Sequence, residues 1–411
     1  MTINKTVRVG MVGAGQLARM THQAAIDLGI NFVVLAQSPL DPAVLSGAEA
    51  IYGNYRDPSA LLELAGCCDV ITFDHELVPY DLLRLLEKRS FTLRPGAKAF
   101  MYSQDKLYAR VKFSEAGFSV PEFAPLGEDI FDGIIDFADA HSWPVVVKSR
   151  SGGYDGRGVW VIHDETEARA FCDRFLKTVT PEPEHREPHP EKDYGQVDKF
   201  IYENKKYQFI VEEHVEIQKE IAILGVRRPG GDFVTYAPIE TVQRNGICNE
   251  LFMPADIPDT LANIAKETAA RIAELVGVVG LIAVEMFVDQ NSHLVINELA
   301  LRPHNSGHAT IEAAYTSQFQ NHLRAVLDWP LGSADMKVNA AAMVNILGGE
   351  ALLDPRQRLG YISQYPTLAV HLYAKEPVLG RKLGHVTAIG GESAELLALA
   401  KSCAEELTSP Q

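Results

Sequence analysis

Residues 148–158 read Lys148-Ser149-Arg150-Ser151-Gly152-Gly153-Tyr154-Asp155-Gly156-Arg157-Gly158, with four glycines between 152 and 158. The apolar run Val145-Val146-Val147 leads in and Val159-Trp160-Val161-Ile162 leads out, so both flanks read as strands. Glycines at that density expose backbone N–H groups that can wrap phosphate oxygens, and Lys148 at the end of the first strand supplies a point charge. The segment lacks the GKS or GKT ending of a Walker A loop and runs into a strand, not a helix. It therefore reads as a flap between two strands closing over a nucleotide. The alternative is a long hairpin with a flexible tip. A structural turn has no need of Lys148, Arg150 and Arg157 beside four glycines in an acidic chain, and that charge contrast favours a ligand.

The 411 residues carry 38 Lys and Arg against 54 Asp and Glu, a formal charge of −16, and are 46% hydrophobic and 22% charged. That is a globular composition, and at roughly 150 residues per domain the length predicts two or three domains. A surface this acidic repels phosphate backbones and anionic lipid, which predicts no nucleic-acid and no membrane partner. The longest apolar run stops at Glu285, short of the ~18 residues of a membrane span. Five cysteines without a CxxC pair suit a reducing compartment. The N-terminal apolar stretch enters a glycine turn instead of a cleavage site. These features predict a soluble cytoplasmic protein.

Upstream of the flap, Val7–Val12 leads into Gly13-Ala14-Gly15-Gln16-Leu17-Ala18, and Leu17, Met20, Ala24 and Leu28 then mark one stripe of a helix. Strands at 31–35 and 70–73 and helices at 58–65 and 80–88 continue the alternation, which predicts βαβ units around a parallel sheet ending near Arg94-Pro95-Gly96. The turn has the GxGxxA form of a dinucleotide fingerprint, but the second strand ends Leu35-Ala36-Gln37, without the carboxylate that holds a ribose hydroxyl. A tight turn packing helix on sheet is preferred to nicotinamide or flavin binding, and the helix N-terminus stays open to another anion. Further on, helices are predicted at 103–116, 260–276 and 310–327, and strands at 209–215, 221–226, 233–236, 342–346 and 369–373. The stretch PEPEHREPHPEK at 181–192 reads as an exposed, mobile insertion.

A hairpin over 281–299 carries Glu285 and Glu298. If Asp289-Gln290-Asn291-Ser292 closes it, Glu285 faces Ile296 and Glu298 is a diagonal neighbour about 7–8 Å away on the same face. That face is otherwise Ala283, Phe287, Leu294 and Ile296. Two carboxylates on an apolar face repel unless a cation lies between them, and Mg²⁺ shared with substrate phosphates meets that need. The alternative is an edge hairpin with two solvated glutamates. Directly after it, Arg302-Pro303-His304-Asn305-Ser306-Gly307-His308 combines guanidinium, imidazole and amide donors suited to clamping an anion. Lys375, Arg381, Lys382 and His385 form a basic cluster, which alone is a solvated face and gains meaning only if it folds against the other segments.

Together these segments resemble the ATP-grasp superfamily and, within it, the 5-(carboxyamino)imidazole ribonucleotide synthases of purine biosynthesis. The likeness runs through GAGQLAR at 13–19, SQDKL at 103–107, GGYDGRG at 152–158, VEEHV at 211–215, NGI at 245–247 and VEMF at 284–287. It continues through NELALRPHNSGH at 297–308, TSQFQNHLRAVL at 316–327 and KEPVLGRKLGH at 375–385. The resemblance implies an α/β chain with a Rossmann-like pre-ATP-grasp domain over 1–98, an ATP-grasp domain over 99–330 and a small C-terminal domain over 331–411. The lid would span 120–214 and contain the insertion at 180–195.

Carried onto this sequence, the resemblance places Lys106 and Lys148 on ATP phosphates beneath a flap of Gly153, Tyr154, Asp155, Gly156, Arg157 and Gly158. Glu212, Glu213, His214 and Val215 would form the adenine hinge, with Glu220 on the ribose and Gln243 on the ATP side. Glu285 and Glu298 would hold Mg²⁺ with Asn297 nearby. Gln16, Leu17 and Glu76 would line the ribonucleotide side, and Lys375, Arg381 and Lys382 would take its phosphate. Tyr154, Asp155, Arg302, His304 and Asn305 would surround the reacting carbonate.

The implied reaction is attack of bicarbonate on the γ-phosphoryl group of ATP, giving carboxyphosphate. Carboxylation of the exocyclic amine of 5-aminoimidazole ribonucleotide follows, directly or through trapped CO₂, with Asp155 accepting the amine proton. The implied assembly is a homodimer. Three alternatives stand beside this: another ATP-grasp carboxylate–amine ligase of the purine pathway, an NAD-dependent oxidoreductase, and a nucleotide-binding module without turnover. GGYDGRG with RPHNSGH disfavours the first, Gln37 the second, and Lys148 with Glu285 and Glu298 the third. The chain departs from the family pattern at Leu77, Gln243, Asn245 and Leu301, and in having Asp74-His75 before Glu76.

Overall fold

In the computed structural model, which describes residues 7–152, 158–175, 196–204, 206–244 and 246–408, the N-terminal alternation becomes a parallel sheet. Strands β1 (Arg8–Val12), β2 (Asn31–Ala36), β3 (Glu49–Tyr52) and β4 (Val70–Phe73) lie in the order β3-β2-β1-β4. Both faces are buried, as parallel strands require. Val9, Met11, Phe32 and Val34 pack beneath the helix Gln16–Asp27, while Val12, Val33, Leu35, Ile71 and Phe73 pack against the helices Pro58–Cys67 and Tyr80–Lys88.

The helix predicted over 103–116 is instead two helices, Ala97–Gln104 and Lys106–Glu115, broken at Asp105. The Asp105 carboxylate accepts the Tyr108 N–H at 3.0 Å and so caps the second helix. Arg150 grips the same carboxylate at 2.9 and 2.5 Å, so a buried ion pair overrides helix continuity there.

The lid is an antiparallel sheet of β5 (Phe123–Leu126), β6 (Val145–Ser149), β7 (Val159–Ile162) and β8 (Phe209–Glu213) in the order β5-β8-β6-β7. Helices Ile130–His141 and Glu165–Phe175 back it through Ile134, Phe137, Ala168 and Phe171. Lys148 pairs with Val159, so the glycine segment is the connection between β6 and β7, as read from the sequence. Within it Gly153, Tyr154, Asp155, Gly156 and Arg157 lie outside the described residues, as does the proline-rich insertion.

The remaining strands are β9 (Ile217–Arg227), β10 (Phe233–Thr235), β11 (Ile239–Arg244), β12 (Ile247–Met253), β13 (Gly280–Asp289), β14 (Leu294–Ala300), β15 (Ala341–Leu347), β16 (Ala369–Leu372) and β17 (Lys382–Ile389). They form one antiparallel sheet in the order β14-β13-β9-β11-β12-β15-β17-β16, with β10 added to β9. Ile223, Val284, Met286 and Ile296 on one face meet the helix Asp259–Val276, and Leu224, Leu251, Leu281 and Met343 on the other meet the segment that follows β14. The C-terminal strands continue this sheet, since β15 pairs with β12 from Val344 opposite Glu250 to Ala341 opposite Met253.

The helix predicted over 310–327 is also divided, into Thr310–Ala313 and Gln318–Val326, with Ser317 capping the second by accepting the Gln320 N–H. This second helix joins the two large sheets. Phe319, Leu323 and Val326 enter the core of the front sheet, and His322 accepts the Leu281 N–H on Nδ1 at 3.1 Å. Its Nε2, which must then carry the hydrogen, meets Thr72 Oγ1 at 2.8 Å. Among the described residues no helix is long and apolar enough to cross a membrane.

Candidate active site

Strand β6 carries Lys148 one residue before its end, with its ammonium 2.6 Å from Glu212 of β8; the other carboxylate oxygen of Glu212 accepts from Arg110 Nε at 2.7 Å. All three side chains are buried. Burial pushes the Glu212 carboxyl upward, but Arg110 and Lys148 outweigh it and hold the group at about 2. Burial lowers the Lys148 ammonium, with Glu212 opposing and Arg110 reinforcing. Two cations share one carboxylate, so the triad keeps a net positive charge for a phosphate. Arg110 was not singled out in the sequence, although it stands on the Leu107–Phe113 stripe of its helix, where a guanidinium needs a buried partner. Lys106 lies 2.8 Å from Glu298, and Lys148 also reaches Asn297 Oδ1 at 3.2 Å.

The β13–β14 register differs from the one expected. Val288 pairs with Leu294, Ile296 faces Met286 and not Glu285, and between Met286–Ile296 and Glu285–Glu298 the ladder slips by one residue. Asn297 is the extra residue of a bulge, which makes Glu298 the direct partner of Glu285 instead of a diagonal neighbour. Glu220 of β9 pairs with Phe287, so it shares their face two residues along from Glu285. Burial, together with Glu285 and Glu298, pushes the Glu220 carboxyl up to about 7, opposed by a hydrogen bond from Gln243. Glu298 is the reverse case: the protein around it works against the charge, but Lys106, Lys148 and His304 hold it at about 2.

Glu220 is driven toward neutrality first by burial and then by Glu285 and Glu298, and three carboxyls on one face are a place where a cation relieves repulsion. Among the described residues no three His, Cys, Asp or Glu side chains close on one point. Glu285 and Glu298, paired directly on one face, are the one or two carboxylates that Mg²⁺ takes before completing its shell with water and substrate phosphates. The residues present therefore fit the ion.

The loop after β14 is held from the front sheet by Glu76, which accepts from Leu301 N at 3.1 Å and Arg302 Nε at 2.7 Å. His304 Nε2 lies 3.0 Å from Glu285, and Nδ1 lies 2.8 Å from Ser306 Oγ. Asn305 is buried, and among the described residues neither of its side-chain amide atoms has a partner within hydrogen-bond distance apart from a weak contact with the Cys248 thiol, a cost that a bound polar group would remove.

At the N-terminal turn, Gly15 N–H donates to Asp74 Oδ2 at 2.8 Å, and Gly13 has φ +105° with Asp74 Oδ1 only 1.7 Å from where a Cβ would stand. A carboxylate of the chain itself thus occupies the helix N-terminus. That carboxylate takes the Gly15 N–H and disfavours a pyrophosphate at this turn, which weighs against the dinucleotide alternative. Gln16 and Leu17 line a cavity of about 410 Å³ beside Tyr55, His75 and Leu77.

The basic cluster does fold against the front sheet: Lys375 Nζ lies 2.5 Å from Gln16 Oε1. Lys382 is half-buried, while Arg381 is exposed and turns to the Glu376 carbonyl at 3.4 Å. His385 is not part of a basic surface. It is fully buried, bonded to the Tyr373 hydroxyl at 2.7 Å and stacked between His371 and His308, and burial drives its pKa far down.

A lysine-bearing two-strand flap over a carboxylate pair on an antiparallel sheet, behind a parallel α/β front unit, defines an ATP-grasp protein. The ATP-grasp domain family matches residues 111–319, the ribonucleotide synthetase preATP-grasp domain 6–104, and the phosphoribosylaminoimidazole carboxylase C-terminal domain 341–399. The N5-carboxyaminoimidazole ribonucleotide synthase of Mycobacterium bovis is 40% identical over 404 residues, covering 97% of this chain and 87% of that protein. The N5-carboxyaminoimidazole ribonucleotide synthetase structure from Thermus thermophilus superposes with a TM-score of 0.78 at 31% identity, over 98% of this chain and 99% of that one. The Aspergillus clavatus synthase in complex with ADP and 5-aminoimidazole ribonucleotide gives 0.82 at 25% identity, over 98% of both chains. The chain belongs to the N5-carboxyaminoimidazole ribonucleotide synthase family of ATP-dependent ligases.

Proposed function

We propose that this chain uses ATP and bicarbonate to carboxylate the exocyclic amine of 5-aminoimidazole ribonucleotide in purine biosynthesis. One observation carries the reading: a series of contacts joins residues far apart in sequence. Lys148 meets Asn297, Lys106 meets Glu298, Glu285 meets His304, Arg302 meets Glu76, and Lys375 meets Gln16. A phosphate-binding end and a ribonucleotide end thus face a shared anion loop, and a relative has been solved with ADP and the ribonucleotide together.

Lys106 and Lys148 neutralise the ATP phosphates. Glu285 and Glu298 would hold Mg²⁺, which when bound spreads the charge of the phosphoryl group in transfer. Arg302, His304 and the buried amide of Asn305 orient bicarbonate for in-line attack; a new P–O bond forms, ADP leaves and carboxyphosphate results. The flap 153–158 excludes water from that short-lived species. The C–O bond between the carboxyl carbon and the phosphoryl group then breaks and inorganic phosphate leaves, while the ribonucleotide amine, held by Lys375, Arg381 and Lys382 through its phosphate and flanked by Gln16, Leu17 and Glu76, forms a C–N bond to that carbon, displacing phosphate directly or adding to CO₂ freed in the closed site. Asp155 takes the amine proton, with Tyr154 beside it.

Phosphate release from ATP, measured with bicarbonate and with or without the ribonucleotide, tests the proposal. Stimulation by the ribonucleotide is expected and its absence sinks the assignment; stimulation by a different amine points to another ligase of the superfamily. The five free cysteines support a cytoplasmic setting. The family resemblance supports a homodimer, which sedimentation equilibrium checks.

A further inference from the structure

The loop that carries Arg302, His304 and Asn305 has no strand or long helix of its own, so something else must fix His304 against Glu285. His304 is in extended conformation (φ −121°, ψ 150°), with both main-chain polar groups turned to one side chain. Gln318, fully buried at the start of the helix Gln318–Val326, accepts from His304 N at 2.8 Å and donates to His304 O at 2.7 Å. Its amide imitates a neighbouring strand, closing a two-bond ladder rung with one residue. Gln318 is itself seated, since its main-chain N–H donates to Thr310 Oγ1 at 3.0 Å and that hydroxyl donates to Gly307 O at 2.6 Å. Gly307 leaves room for it, because a Cβ there would lie 2.5 Å from the Gln318 carboxamide.

We infer that Gln318 is a positioning residue for the reaction, acting through the main chain of His304 to hold the imidazole on Glu285. The inference rests on the proposed function insofar as it places His304 beside the reacting carbonate. The chemistry is selective. Glutamate keeps the shape but can only accept, asparagine is one methylene too short to reach both groups, and methionine makes neither bond.

Gln318→Glu and Gln318→Met are to be compared with the parent enzyme for ribonucleotide-stimulated phosphate release. Expected is a kcat lowered about 10- to 100-fold with the KM for ATP within about twofold, since among the described residues the hydrogen bonds of Gln318 go to His304, His308 and Thr310 and to none on the ATP side. His304→Ala keeps the main-chain groups that Gln318 binds. If Gln318 acts through the imidazole, adding Gln318→Met to His304→Ala lowers kcat no further, whereas a purely structural role makes the two losses multiply. Independently of turnover, ¹⁵N-histidine NMR of Gln318→Met should move the His304 ring signals and leave those of exposed His163 and His293 in place. Full kcat in both variants, multiplying losses or unmoved His304 signals would overturn the inference. If the parent enzyme ignores the ribonucleotide, the functional assignment fails, while the NMR result still decides the role of Gln318.

Discussion

Glu285 and Glu298 stand directly opposite one another across the β13–β14 ladder because Asn297 is the extra residue of a bulge. In a regular strand, Asn297 and Glu298 would face opposite sides of the sheet. The bulge lets these successive residues address two lysines on one side, Asn297 meeting Lys148 and Glu298 meeting Lys106. Glu298 remains 47% exposed, so its ion pair contributes only ~0–1 kcal/mol to stability. Glu298→Gln is therefore expected to abolish Mg²⁺-dependent turnover while leaving the urea midpoint close to that of the parent. Retained turnover would refute the metal role.

The Arg110–Glu212–Lys148 triad behaves differently because it is buried. In Arg110→Met the carboxylate keeps only Lys148, and the net positive charge facing the phosphates disappears. Stability should fall by about 3–5 kcal/mol, and the KM for ATP should rise by about tenfold or more. Urea unfolding and steady-state kinetics check the two parts separately; an unchanged KM would show that the ATP phosphates do not draw on the net charge of the triad.

At the ribonucleotide end, Lys382→Ala should raise the KM for the ribonucleotide much more than that for ATP, because Lys382 belongs to the C-terminal strands and not to the lid. Equal effects on both would undo the phosphate assignment.

Acid should loosen the join between the two large sheets. Burial lowers the His322 pKa to about 3 and moves His308 and His385 the same way. Each is depressed below its unfolded value of ~6.5, so the unfolded chain gains protons that the folded chain refuses. Stability is full above ~6.5 and is lost as pH falls toward 3, at up to ~1.4 kcal/mol per pH unit for each ring. Glu220, raised to about 7, works in the opposite sense and cancels one ring between about 7 and 4.5. The melting temperature should therefore drop from pH 6.5 to 5, and His322→Asn should flatten the slope by about one proton. A slope identical to that of the parent would refute the neutral His322 bridge.

The sequence alone determined the element types of the front sheet, the flap between two strands, the hairpin with its two glutamates and the donor-rich loop after it. Each follows from patterns confined to a few residues: alternation, glycine density, turn chemistry. It did not reveal that Asp105 and Ser317 interrupt predicted helices, because a cap competes with helix continuation only when its neighbours are in place. Nor could it show that Asp74 blocks the Gly15 N–H, that Arg110 shares Glu212 with Lys148, or that Lys375 reaches Gln16. Those partners lie 59, 102 and 359 residues apart. Residue types and spacing specify which charges a chain carries. Only the tertiary structure decides which of them are buried against a partner and which remain available to a ligand, because burial and pairing are set by elements that meet after folding.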